Sequence, residues 1–109
     1  MNLLTKPIEA KLRKNFLALK KDGQKPALKL FNPVGGATWL LTELDDEDNL
    51  FGLCDLGMGC PELGYVSLAE LQNFRGRMGL GIERDRWFKA NKTLADYAEE
   101  ARQKERIVA

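Results

Sequence analysis

Histidine is absent from this chain of 109 residues. A Ser-His-Asp or Cys-His catalytic arrangement therefore cannot form, and neither can a His-ligated zinc or iron site. Cysteine is scarce, because only Cys54 and Cys60 occur, and two thiols cannot complete a tetrahedral structural zinc site. They are also too few for a disulfide framework, and their spacing matches neither a redox nor a zinc motif. We expect both thiols to remain reduced.

Long apolar runs are also missing, since no stretch approaches the roughly 20 residues that a membrane-spanning helix needs. The N-terminus lacks a basic segment followed by an apolar one, so no secretion signal is expected. These features predict a cytoplasmic protein without membrane contact. The composition, 44% hydrophobic and 30% charged, is that of an ordinary globular domain. We predict one domain over residues 1–109, with a frayed tail at 102–109.

The net charge of +1 conceals a segregation of charge along the chain. Residues 1–31 carry eight Lys and Arg against two acids, whereas residues 32–70 carry eight acids and no base. Residues 71–109 carry nine bases against six acids. Such blocks indicate either complementary pairing within the fold or a basic surface for nucleic acid or an acidic partner.

Three helices are predicted from capping signals. Thr5 caps a helix that runs to about Lys21, and Thr93 caps a last helix. Ser67 is followed by Glu70 at the spacing of a capping box, which predicts a short helix directly after an extended segment at 64–66. That strand-to-helix junction is the most clearly marked local structure of the chain.

Strands are predicted at 27–32, 38–44 and 50–56, with an edge strand at 82–88. The segments 38–44 and 50–56 form a hairpin around an acidic turn, with Leu44 facing Leu50 and Trp39 facing Asp55. The predicted fold class is α+β: a small antiparallel sheet of four to five strands, with the N-terminal and C-terminal helices packed on one face.

In the predicted register of the hairpin, one side carries the core residues, namely Leu40, Leu44, Leu50, Cys54 and Leu56. The other side mixes large apolar groups with carboxylates: Trp39, Leu41, Glu43, Phe51, Leu53 and Asp55.

Two candidate sites follow from the residue types. Glu43, Asp55 and Glu62 supply hard oxygen ligands for Mg²⁺, with Arg75 or Arg84 placed to stabilise a phosphate. Carboxylates at strand ends also serve as turn acceptors or ion-pair partners. The second candidate is a basic and aromatic binding surface that combines Trp39, Arg75, Arg77, Arg84, Arg86, Trp87 and Lys89. Trp87 can equally be a core residue that clamps the last helix.

Several strings of the sequence are shared with a known family: Leu3-Leu4-Thr5-Lys6, Pro61-Glu62-Leu63-Gly64-Tyr65, Ser67-Leu68-Ala69-Glu70-Leu71 and Ile82-Glu83-Arg84-Asp85. On these strings the chain resembles the bacterial domain of unknown function 2958 family, short proteins of plasmids and integrative elements, over residues 3 to about 89. The resemblance implies a bacterial cytoplasmic protein with an accessory role on a mobile genetic element, and it provides no established activity or catalytic residues to transfer to this chain.

Three function classes are therefore open. The first is a non-enzymatic module of a mobile genetic element that binds another protein, without a cofactor. The second is a nucleic-acid-binding module that uses the basic and aromatic surface. The third is a carboxylate–Mg²⁺ enzyme acting on phosphoesters. The sequence does not determine the oligomeric state.

Overall fold

The computed structural model describes residues 3–109. Five strands form one antiparallel sheet in the order β4-β3-β2-β1-β5. The strands are β1 (Leu28–Phe31), β2 (Thr38–Leu44), β3 (Asn49–Asp55), β4 (Glu62–Ser67) and β5 (Glu83–Arg84). The helices are α1 (Lys6–Ala18), α2 (Leu68–Asn73) and α3 (Leu94–Lys104), with 3₁₀ turns at Lys21–Gly23 and Arg77–Gly79. The predicted α+β class is confirmed, with an antiparallel sheet and a helix towards each end of the chain. Over residues 3–109, no helix is long and apolar enough to cross a bilayer.

Each of the three helices begins at the residue that the sequence predicts as its cap. The cap side chains accept a hydrogen bond from an amide three residues later: Thr5 from Ile8 (3.3 Å), Ser67 from Glu70 (3.2 Å) and Thr93 from Asp96 (3.3 Å). These bonds satisfy amides of the first turn that have no partner within the helix. The first helix ends earlier than predicted, at Ala18, because Leu19 adopts the left-handed conformation with φ of 57°.

The hairpin of β2 and β3 contains a bulge that the sequence pattern does not reveal. Leu44 lies opposite Leu50, as predicted, but the register shifts between Leu41 and Glu43, where Thr42 is the extra residue. The buried Asn15 side chain of α1 donates a hydrogen bond to the Thr42 carbonyl at 3.0 Å. The helix thereby satisfies a backbone group beside the interruption of the ladder.

The bulge changes which side chains share a face of the sheet. Beyond it Trp39 lies opposite Cys54, and the predicted pairing of Trp39 with Asp55 is wrong by one residue. Since side chains alternate along a strand, the extra residue puts Leu44 on the same face as Trp39 instead of the face of Leu40. The prediction that Leu40 and Leu44 share one core face is therefore wrong.

The sheet is covered on both faces by apolar clusters, and the two long helices lie on opposite faces. On the first face, Leu12 of α1 packs with Trp39 and Leu41, and Leu68 and Leu71 of α2 join the cluster. On the second face α3 covers the strands through the following residues: Leu40, Leu53, Leu94, Tyr97, Ala98, Ala101 and Ile107. The prediction that both helices pack on one face is thus corrected. Both faces of β2 are apolar, so both must be withdrawn from water.

The C-terminal tail, predicted to fray, is held against the sheet. Ile107 is buried, with 9% of its surface exposed, and it belongs to the cluster beneath α3. Its amide donates to the carboxylate of Asp55 at 2.9 Å. Lys29 of β1 donates to the carbonyl of Ala109 at 2.7 Å. The tail therefore closes the second core instead of leaving it.

Candidate functional site

The chain leaves the sheet directly after β5 in a turn that starts at Asp85. The Asp85 amide donates to the carbonyl of Lys29 at 3.0 Å, and one carboxylate oxygen accepts from the Trp87 amide at 2.9 Å. This local bond is the turn that aspartate favours. It directs Phe88 inwards, where its ring lies 6.3 Å from that of Tyr97. Trp87 points outwards. The predicted strand at 82–88 is consequently reduced to two paired residues, Glu83 and Arg84.

Trp87 lies on the surface, with 91% of it exposed, the largest fraction among the large apolar residues within residues 3–109. This exposure overturns its alternative assignment to the core. Arg86 and Lys89 are exposed on either side of it, and in the described part of the chain neither forms an ion pair. We call Arg86, Trp87 and Lys89 the Trp87 surface. The turn thus holds a large aromatic side chain in contact with water.

Two clefts flank the turn and share Asp85 and Phe88 as a common wall. One has a volume of about 310 Å³ and is lined by Arg84 and Arg86 among others. The second has a volume of about 330 Å³ and includes Trp87 itself. Both are at the small end of the range of roughly 300–1,000 Å³ for ligand pockets. The surface thus offers an aromatic projection between two shallow depressions, a shape that suits a macromolecular contact.

Three further cations near the turn are engaged within the protein. Arg84 donates to the carbonyl of Leu3 at 2.5 Å. The ammonium of Lys29 lies 3.4 Å from the carboxylate of Asp85. Lys92 pairs with Glu100 and lies over the ring of Tyr97. Among the described residues of this region, Arg86 and Lys89 are therefore the cations that are not engaged within the protein.

The other residues of the predicted binding surface are placed elsewhere. Trp39 is buried in the first core, 6% exposed, and does not belong to any surface. Arg75 folds back onto its own backbone and donates to the carbonyls of Gln72 and Phe74 at 3.1 and 2.6 Å. It lines a separate cleft of about 230 Å³ that shares no lining residue with the two around Trp87. Arg77 is exposed in the neighbouring 3₁₀ turn.

The three carboxylates of the predicted metal site are not brought together. Glu43 lies opposite Phe51, four residues along β3 from Asp55, which corresponds to about 13 Å of strand. Asp55 accepts hydrogen bonds from two amides, whereas Glu62 is exposed on β4. Within residues 3–109 no group of three or more His, Cys, Asp or Glu residues could hold a metal ion. The predicted Mg²⁺ site is not formed.

Glu43 takes part instead in a cluster that the sequence does not signal. It is almost fully buried, and burial raises the pKa of its carboxyl group. Gln24 donates to it at 3.2 Å, and the ammonium of Lys21 lies 3.9 Å away. The same ammonium contacts the Tyr65 hydroxyl at 2.7 Å and lies 5.1 Å from the centre of the Phe51 ring. The cluster fastens the segment after α1 to the three neighbouring strands β2, β3 and β4.

Comparison with known proteins gives one match. The family model described as "Protein of unknown function (DUF2958)" matches residues 3–108. This match extends beyond the strings of the sequence that resemble the family and includes α3 and the tail. No curated protein and no solved structure matches the chain.

Proposed function

Since the chain belongs to the DUF2958 family of proteins of unknown function, we propose a function from its surface. The protein is a non-enzymatic protein-binding module that recognises an acidic partner surface through the Trp87 surface. Its setting in a mobile genetic element rests on the family resemblance. The observation that carries the proposal is the exposure of Trp87, 91%, on an ordered turn between two unpaired cations.

An exposed tryptophan on a fixed backbone is an efficient anchor for a protein partner. Burying an indole removes a large apolar area from water, and tryptophan is among the residues most enriched in interface hot spots. The Asp85 turn already fixes the backbone on which Trp87 is carried. Less conformational entropy is therefore lost when a partner closes over the ring.

The distribution of charge favours an acidic protein over nucleic acid. A groove for single strands lines the phosphate backbone with many free cations, because each neutralised phosphate contributes to the affinity. Around Trp87 only Arg86 and Lys89 are free among the described residues, whereas Lys29 and Lys92 are neutralised by carboxylates. Two charges beside an aromatic anchor suit a small acidic patch with an apolar pocket.

The test is capture of a partner from a bacterial lysate by the immobilised full chain, with and without nuclease. We expect a stoichiometric acidic protein that survives nuclease and is released by high salt. Trp87→Ala should weaken its binding by about 30-fold or more, which corresponds to a hot spot of about 2 kcal/mol.

The matched control is Leu17→Ala, since Leu17 is 75% exposed on α1, away from the turn. It should capture the same partner as the unaltered chain. Equal capture by Trp87→Ala would contradict the proposal. Recovery of nucleic acid alone, lost with nuclease, would assign the Trp87 surface to nucleic-acid binding.

A further inference from the structure

The two outer strands of the sheet differ in how they are protected. β5 is outermost on one side and pairs through only two residues, Glu83 and Arg84, both charged. β4 is outermost on the other side and spans the six residues Glu62–Ser67. Natural edge strands are usually kept short, charged or covered, because their free backbone groups can pair with another chain. β5 follows this rule and β4 does not.

The register shows which backbone groups of β4 face away from the sheet. The Leu68 amide donates to the carbonyl of Asp48 at 3.0 Å, in line with the pairing of Ser67 opposite Asn49. Since bonded pairs alternate in an antiparallel ladder, the even-numbered residues of β4 bond to β3. The amides and carbonyls of Leu63 and Tyr65 therefore point outwards from the edge.

The side chains of β4 leave much of this edge exposed, and the ammonium of Lys21 contacts it at the Tyr65 hydroxyl. Leu63 is 37% exposed and Tyr65 is 58% exposed, while Glu62 is the only charged residue of the strand. Gly64 lies between them, and a Cβ added there would meet nothing within 4 Å. A larger side chain would therefore fit at this position in a single chain. Glycine is nevertheless present, although it destabilises a strand. A glycine in a strand often marks the close approach of another backbone.

We propose that β4 pairs in antiparallel fashion with β4 of a second copy, so that two sheets join into one of ten strands. A two-fold axis through Gly64 places Leu63 of each copy opposite Tyr65 of the other, with the outward backbone groups of both bonded. Glu62 then lies opposite Val66 of the second copy, so no like charges meet. The strand is complementary to itself in this register. For that reason we infer that the chain that pairs with β4 is a second copy and not an unrelated peptide.

Exposed apolar side chains also occur in the loop before the strand. Leu56 is 57% exposed and Met58 is 71% exposed, and both line a cleft of about 180 Å³ that includes Glu62 of β4. Contact with these residues adds apolar area to the pairing of two short strands, which alone is a small interface. The pairing is independent of the proposed function. It also leaves the Trp87 surfaces free, because they follow β5 at the opposite edge of each sheet.

The first test is sedimentation velocity of the full chain over a range of concentrations. We expect a reversible dimer that Leu63→Lys weakens by about tenfold or more, since it places charge on the joined edge. Leu17→Lys is the matched control, because Leu17 is also an exposed leucine but lies on α1, and it should leave the dimer unchanged. A monomer at all concentrations, or a dimer indifferent to Leu63→Lys, would overturn the proposal.

The second test reads the register directly through Gly64→Cys, in a chain whose two native cysteines are replaced by serine. Directly opposed residues of a non-hydrogen-bonded pair lie about 4.5 Å apart at their Cα atoms, a distance that a disulfide can span. Mild oxidation should therefore cross-link two copies. Gly23→Cys, at another position where an added Cβ meets nothing within 4 Å, should not. A dimer that cross-links equally at both positions would reject this register.

Discussion

The carboxylate of Asp55, at the end of β3, accepts a hydrogen bond at 2.9 Å from the amide of Ile107, 52 residues later in the chain. Its other oxygen accepts from the amide of Gly57 at 2.8 Å. One buried side chain therefore fixes both the turn after β3 and the tail after α3. This bond closes the second core, where Ile107 packs with the residues beneath α3.

Asp55→Ala should lower the free energy of unfolding by about 3 kcal/mol. Two amides lose a charged acceptor, and hydrogen bonds to charged groups contribute about 1.5–3 kcal/mol each when the donor is buried. Urea denaturation measures the loss, and hydrogen exchange of the Ile107 amide should show faster opening of the tail. Asp46→Ala, in the exposed turn before β3, should change stability by less than about 0.5 kcal/mol. Unchanged protection of Ile107 would contradict the role of Asp55.

The free energy of unfolding of the Glu43→Gln variant should increase relative to that of the unaltered protein as the pH rises. Burial raises the pKa of Glu43 above its ordinary value of 4.5, so the folded protein holds the proton more tightly than the unfolded chain. The free energy of unfolding therefore falls as the pH rises from 4.5 to the raised pKa, and it remains lower above that pKa. Glutamine keeps the shape but does not titrate. Each unit by which the pKa of Glu43 is raised corresponds to about 1.4 kcal/mol in the free energy of unfolding. Denaturation curves of the variant and the unaltered protein across this pH window measure the difference in that free energy. A difference that does not vary with pH would refute the assignment.

The two thiols should react at very different rates in the folded protein. Burial raises the pKa of Cys54 to about 11, so at neutral pH only about one thiol in ten thousand is ionised there. Cys60 is exposed in the loop before β4. A disulfide reagent should therefore titrate one thiol quickly in the native chain and two after unfolding. Cys60→Ser should remove the fast reaction, and Cys54→Ser should keep it; the reverse pattern would be incompatible with the partial burial of Cys54.

The two tryptophans should differ in their accessibility to a fluorescence quencher. Trp39 is 6% exposed and Trp87 is 91% exposed, so acrylamide should quench mainly the emission of Trp87. Trp39→Phe should retain steep quenching, whereas Trp87→Phe should abolish most of it. A partner that covers the indole should protect Trp87 and shift its emission to shorter wavelength. Equal quenching of the two variants would count against an exposed Trp87.

Local chemistry was sufficient to locate most of the elements. Helix capping depends on residues within one helical turn. Thr5, Ser67 and Thr93 therefore predict where their helices begin. The bounds of β2 and the pairing of Leu44 with Leu50 follow from alternation and turn length in the same way. The family resemblance also rests on such contiguous strings, and the family match bears it out.

The candidate surface was only partly visible from the sequence. Arg86, Trp87 and Lys89 are adjacent in the chain, so the sequence groups them without knowledge of the fold. Their exposure depends on the Asp85 turn and on Phe88, which occupies the position beside Tyr97. Whether an aromatic residue is core or surface is settled by such competition for space.

What the sequence determines by itself is the class of the fold, its helix starts, its main hairpin and the chemistry that a chain without histidine cannot perform. The tertiary structure alone decides the bulge at Thr42, the separation of Glu43 from Asp55, and the placing of α1 and α3 on opposite faces. A single extra residue in a strand exchanges the two faces for every residue beyond it, because side chains alternate with a period of two. Contacts remote in the chain stabilise the bulge, such as the hydrogen bond from the Asn15 side chain to the carbonyl of Thr42. No local pattern carries that information.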